Sequence, residues 1–115
     1  MIRKTDDMRV EVREDMRGGS GAVSIRHCFE KEEITANVRL CSLLTLPPGT
    51  SIGPHRHENE DEIFIVTAGM GVLDDGVAET EIQTGDAILT GKGESHAVRN
   101  TGDRDLEIVA MIVCY

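Results

Sequence analysis

The sequence predicts an all-β protein, a sandwich or barrel of short antiparallel strands. Three observations predict it. Turn signals built from Gly, Pro, Asp and Asn recur about every ten residues. Glycine is abundant, 12 residues against 3 prolines in 115, and turns use glycine where helices tolerate it poorly. No stretch sustains a 3.6-residue apolar period, and no tandem repeat is visible.

The elements follow in order. Met8, Val10 and Val12 alternate with Arg9, Glu11 and Arg13, which suggests a short edge strand. Arg17-Gly18-Gly19-Ser20-Gly21 is a loop by composition. Val23 to Phe29 reads as a strand with Val23, Ile25, His27 and Phe29 on one side. Glu30 to Ala36 is charged and poorly periodic, a loop or a single helical turn. Asn37 to Leu46 is a strand-length run ended by Pro47-Pro48-Gly49. Glu62 to Ala68 is rich in β-branched and aromatic residues and stops at Gly69. Gly71 to Leu73 leads into the hairpin signal Asp74-Asp75-Gly76, and Val77 to Gln83 alternates after it. Gly85-Asp86 opens a strand through Thr90, and Gly91-Lys92-Gly93 turns the chain into strands at Ser95 to Arg99 and Leu106 to Val113. Met70 and Met111 read as core filler.

Composition removes several function classes. Twelve basic against 21 acidic residues give a net charge of −9, so phosphate backbones and anionic lipid surfaces repel the protein. With two Phe, one Tyr and no Trp, there is no aromatic platform for stacking bases. No apolar run approaches a membrane span, and the N-terminus lacks a signal-like segment. Cys28, Cys41 and Cys114 form no C-x-x-C pair and leave one thiol over in any disulfide scheme. They are expected to be reduced, mostly buried thiols of a cytoplasmic protein.

The chemistry concentrates around histidine. Only four are present, and two form His55-Arg56-His57. Alternate residues of a strand share a face, so both imidazoles can point at one place. Glu62 begins the next apolar run and His96 lies beyond a hairpin and a further turn. Three imidazoles and one carboxylate suit a divalent transition metal. From His57 to Gly91 there is no Lys or Arg, whereas acidic residues are frequent. Glu58, Glu60 and Asp61 are the alternative carboxylates, expected on the surface or as partners that orient an imidazole. His27 is expected to pack in the core or at its rim. Arg26 and Arg39 could grip an anion if they face inward, and alternation does not assign their side.

The spacing of these residues resembles the two motifs of the cupin superfamily. The first motif is Gly, five residues, His-x-His, three or four residues, Glu, six residues, Gly; here it runs Gly49, TSIGP, His55-Arg56-His57, ENED, Glu62, IFIVTA, Gly69. The second is Gly, five residues, Pro-x-Gly, two residues, His, three residues, Asn; here it runs Gly85, DAILT, Gly91-Lys92-Gly93, ES, His96, AVR, Asn100. Gly91 stands where the family has Pro, and this departure removes no ligand position. Together the motifs span close to half the chain.

The resemblance implies a double-stranded β-helix, a small jelly-roll barrel with a metal inside near one mouth. It implies one cupin domain over 1–115, with N-terminal edge strands and loop in 1–38 and the barrel in 39–115. It implies turns of positive φ or tight approach at Gly49, Gly69 and Gly85. It also implies metal ligation by His55, His57, Glu62 and His96, the ion being Fe, Mn, Ni, Co or Zn. The favoured function is a small metal-dependent enzyme acting on a compact oxygen-rich metabolite by dioxygenase, isomerase, decarboxylase or lyase chemistry. The alternative is a non-catalytic module that binds a sugar or organic acid. No separate catalytic base is identified. Small family members commonly pair through sheet edges, and Met8-Val10-Val12 is the candidate edge for a homodimer.

Overall fold

The structure is a computed structural model and describes residues 1–115. Ten strands form two antiparallel sheets, β1 Arg9–Glu14, β2 Ala22–His27, β3 Val38–Leu46, β4 Ser51–Arg56, β5 Glu60–Ala68, β6 Met70–Asp74, β7 Glu79–Gln83, β8 Ala87–Thr90, β9 Ser95–Asn100 and β10 Leu106–Cys114. One sheet has the order β1-β2-β3-β10-β5-β8 and the other β4-β9-β6-β7. This is the all-β double-stranded β-helix that the sequence suggested. The charged stretch after Phe29 contains a 3-10 turn, Lys31–Glu33, closed by a capping box between Glu30 and Glu33. A second, Met16–Gly18, interrupts the glycine-rich loop.

The core lies between the sheets and follows from alternation. In β10, Leu106, Ile108 and Ala110 are completely buried, and in the neighbouring β5, Phe64 and Val66 lie beside Ala110 and Ile108 on the same inward face. Each of the larger inward side chains, Leu106, Ile108, Phe64 and Val66, contributes about 1.5–3 kcal/mol by leaving water. Asn100, the last residue of the second motif, is buried because it is fully used. Its amide donates to Leu46 O and Arg104 O at 2.8 and 2.7 Å, and its oxygen accepts from Gly102 N–H at 2.8 Å. It thereby pins the hairpin that leads into β10.

Gly49, Gly69 and Gly85 have φ of 78°, 83° and 97°, as the motif positions imply. At Gly69 space also excludes a side chain, since a Cβ would lie 2.4 Å from Asp105 O. Gly91 has its own reason. The Asp61 carboxylate, which accepts from the Tyr115 hydroxyl, occupies the place where a Cβ would stand.

Several expectations need correction. Strand β5 begins at Glu60 rather than Glu62. Met70 is 51% exposed, because it opens a hairpin strand with its side chain outward, and Met111 is half-buried. All three cysteines are free and half-buried rather than mostly buried. Val10 and Val12 lie on the edge strand β1 as expected, and both are exposed.

Candidate metal centre

Strands β4 and β9 pair so that His55 stands directly opposite His96. A register irregularity between Ile52 and His55 turns the end of β4. His57 lies just past the strand, where its N–H donates to Glu94 O and its carbonyl accepts from Gly93 N–H, both at 2.9 Å. Glu62 enters from β5, in the opposite sheet. The four side chains sequence reasoning selected therefore meet inside the barrel, with His57, Glu62 and His96 almost fully buried.

The outer nitrogen of each ring decides what the inner one can do. His55 Nδ1 is 2.9 Å from Gly53 O, and His57 Nδ1 is 2.8 Å from Glu60 Oε1. A carbonyl and a carboxylate only accept, so both Nδ1 atoms donate. His96 Nδ1 is 2.8 Å from Thr90 Oγ1, and donation there gives the same tautomer. Each Nε2 is then left as a lone pair directed at the common point. His96 Nε2 lies 3.0 Å from His55 Nε2, 3.1 Å from His57 Nε2 and 2.8 Å from Glu62 Oε1. His57 Nε2 lies 2.9 Å from the same oxygen. Lone pairs and a carboxylate crowded this closely repel one another unless a cation sits among them. Adjacent donors on an octahedral ion with bonds of about 2.1 Å stand about 3.0 Å apart, so the residues fit a divalent transition metal.

Electrostatics agree. With protons in the place of a cation, burial alone would raise the Glu62 carboxyl, but hydrogen bonds from protonated Nε2 atoms of His55, His57 and His96 outweigh it and hold the group well below the usual carboxylate range. Burial lowers His96. For His57, burial also pulls downward, yet Glu62 and Glu60 together push it above the ordinary histidine value. Phe64 stacks on His96 at 4.9 Å between ring centroids and fixes its plane.

The neighbouring carboxylates separate cleanly. Glu58 is exposed and pairs with Arg56. Asp61 is half-buried and bonded to Tyr115. Glu60 is not a surface residue. It is 9% exposed because β5 starts there, which puts Glu60, Glu62, Phe64 and Val66 on one inward face. Besides His57, it accepts a bidentate pair from Arg39 Nε and Nη2 at 2.6 and 2.7 Å, and this pairing holds its carboxyl down at about 2.

Three of the four donors, His55, His57 and Glu62, border a cavity of about 90 Å³. Leu40, Ile52, Phe64 and Ile112 give it apolar walls, and Glu11, Arg13, Arg17, His27 and Arg39 form its polar side. Arg39 and Phe64 thus face the cavity, whereas Arg26 turns outward and donates to Thr5 O. His27 is the rim histidine expected from alternation, its Nε2 2.5 Å from Glu11 Oε1. Arg13 and Arg17 were not singled out from sequence. The alternation of β1 hinted at Arg13, and no local signal marks Arg17.

Residues 42–112 match the family model of the cupin domain. The chain belongs to the cupin family. This cupin is 40% identical over 113 residues to the oxalate-binding protein of Thermotoga maritima, covering 98% of this chain and 93% of that one. Its structure is similar to one described as a predicted oxalate decarboxylase from Thermotoga maritima, with TM-score 0.95, 39% identity and full coverage of both chains. It also shares its fold with the polyketide cyclase RemF of Streptomyces resistomycificus, at TM-score 0.77 and 20% identity over 99% of this chain and 80% of that one. The His55, His57, Glu62 and His96 cluster is a divalent-metal type of site. No helix is long and apolar enough to cross a membrane.

Proposed function

We propose that this cupin captures oxalate, or an equally compact dicarboxylate, on a divalent transition metal held by His55, His57, Glu62 and His96. The observation that carries the reading is the cavity. At about 90 Å³ it is smaller than the roughly 150 Å³ that encloses one benzene ring. A cavity this small favours a compact organic acid over a sugar or an aromatic ring as the ligand seated wholly within it. The names of the Thermotoga maritima relatives supply oxalate as the acid of that size. Four protein donors on a six-coordinate ion leave two positions, which is what two carboxylate oxygens need. A bound ion there would serve as a Lewis acid toward those oxygens. The chain's residues do the rest: Leu40, Ile52 and Ile112 exclude water and bulk, and arginines supply positive charge on the polar side.

Simple capture is placed ahead of the enzymatic reading by the state of Glu11 on the cavity wall and of Glu60 behind His57. Glu11 is engaged by His27 and Arg13, and Glu60 by Arg39 and His57. Neither is free to pass a proton. Decarboxylation of oxalate to formate and carbon dioxide needs a proton at carbon, and His27 at the cavity wall is the one specific feature that supports it.

Residues 1–115 act as one cupin domain in this reading, with 1–38 closing the mouth of the barrel built by 39–115. The exposed Val10 and Val12 on the open edge of β1 support a homodimer paired through that edge. The unpaired thiols support a cytoplasmic setting. The test begins with elemental analysis of protein purified without a histidine tag, which selects among Fe, Mn, Ni, Co and Zn. Calorimetric titration of that form with oxalate then reads binding, and formate assay reads turnover. Binding without formate supports capture, formate release supports the decarboxylase, and no binding refutes the ligand.

A further inference from the structure

We propose that Arg17 is the residue that recognises the second carboxylate of the ligand, clamping it from the cavity mouth while the metal site holds the first; this rests on the dicarboxylate reading above. The chain carries 12 basic and 21 acidic residues, yet three arginines, Arg13, Arg17 and Arg39, converge on this one small cavity. Two of them are committed. Arg39 is held by Glu60 in a bidentate pair and Arg13 by Glu11. Arg17 makes no side-chain hydrogen bond or ion pair with any residue of the chain. It is the cation on the cavity wall whose donors are free, and a guanidinium presents them in a fork that matches a carboxylate.

The backbone gives a second, independent observation. Arg17 has φ 57° and ψ 29°, the left-handed region that disfavours every residue with a Cβ. Glycine would sit there without strain, and Gly18 and Gly19 follow immediately. Arg17 thus keeps a side chain beside the cavity at a position where glycine would be easier, as Asp15, Asn59 and Lys92 do elsewhere in the chain.

The turn that carries Arg17 is also seated against the metal ligands. Its carbonyl packs so closely on β4 that a Cβ on Gly53 would lie 2.1 Å away, and a Cβ on Gly19 would lie 2.2 Å from Ser51 O. Gly53 O in turn accepts from His55 Nδ1 at 2.9 Å. One residue without a side chain therefore registers both the arginine and a metal-binding imidazole. The backbone of Arg17 is thereby held at a fixed place relative to the donors, and its exposed side chain reaches the cavity from there. Such a gauge suits a ligand with carboxylates at both ends. A 2-hydroxy monocarboxylate such as glycolate can chelate a metal equally well, but it offers Arg17 no second carboxylate.

The experiment uses the full chain loaded with Mn(II), titrated calorimetrically with oxalate and with glycolate. Arg17→Gln, Arg17→Lys and Arg17→Gly are compared with the unmodified protein. Arg17→Gly suits the positive φ, so it folds at least as well as the parent. Expected is unchanged Mn(II) affinity in all forms, a loss of oxalate affinity of about tenfold or more in Arg17→Gln and Arg17→Gly, and a smaller loss in Arg17→Lys. Glycolate affinity should move by less than about twofold. Equal oxalate affinity in Arg17→Gly and the unmodified protein overturns the inference and leaves the dicarboxylate reading standing. Equal losses for both acids, or loss of Mn(II) affinity, also overturn it. If the unmodified protein takes up no oxalate, the parent reading falls and the inference with it.

Discussion

Replacing Glu60 with Gln should weaken metal binding although Glu60 is not one of the four donors. The change removes the negative charge behind His57 but keeps a carbonyl oxygen that can accept from Nδ1–H. Hydrogen bonds to charged groups are worth about 1.5–3 kcal/mol and neutral ones about 0.5–1.5 kcal/mol. The difference at the 2.8 Å contact is about 1–1.5 kcal/mol, close to tenfold in affinity. Arg39 adds little to this, since its side chain is 40% exposed and water can take over its donors. Glu60→Leu leaves the His57 donor without an acceptor, so its loss should approach about 100-fold, the upper end for partners of metal-bound imidazoles. Competition between protein and a chromophoric chelator for Co(II) reads the affinity. The visible spectrum of the Co(II) form reports whether His57 still binds with the same geometry. Glu58→Gln is the control and should change neither. If Glu60→Gln matched Glu58→Gln in both affinity and spectrum, the orienting role of Glu60 would be refuted.

Other outcomes follow from the same contacts. Glu62→Gln removes the only anionic donor and should cost more than about 100-fold in Mn(II) affinity, measured by the same competition. Metal affinity should fall as pH drops through the histidine range, because protons compete for the Nε2 atoms while the Glu62 carboxyl stays ionised. His57, raised by Glu62 and Glu60 against its burial, should protonate before His96, which burial lowers, on acidification of the metal-free protein, and two-dimensional NMR of the imidazoles can follow both. Ile108→Ala empties a fully buried position between β3 and β5 and should cost about 2–5 kcal/mol in urea denaturation. Gly53→Ala forces a methyl group against Arg17 O and should cost about 1–3 kcal/mol by the same assay.

Most of the strands were legible because short antiparallel strands announce themselves through alternation and glycine turns, whereas their order in the two sheets was not. The four donors were legible because their spacing encodes the loops that bring them together. Glu60 shows where spacing stops helping. The motif counts past it to Glu62, yet alternation places both on one face once β5 is known to begin at Glu60. Arg39 depended on which side of β3 it took, and a register shift between Ile112 and Val113 on the neighbouring strand lies beside it. Nothing in a linear sequence reports that shift. Arg17 was hidden most deeply. Its loop looks like any glycine-rich connection, and only the contact with Gly53, 36 positions later in the sequence, gives it a place at the cavity.

The donors come from both sheets, His55 and His96 from β4 and β9 and Glu62 from β5. An ion bound there is a cross-brace as well as a ligand-binding centre. Mass action makes the brace adjustable: free metal at about 100 times its dissociation constant adds about 2.7 kcal/mol to the folded state. Heat resistance should therefore track the supply of the ion. A chelator strong enough to strip it would loosen one sheet from the other before disturbing either sheet's own ladder. In a cell short of metal, the empty form would be the one first exposed to proteases, so occupancy and lifetime would rise and fall together.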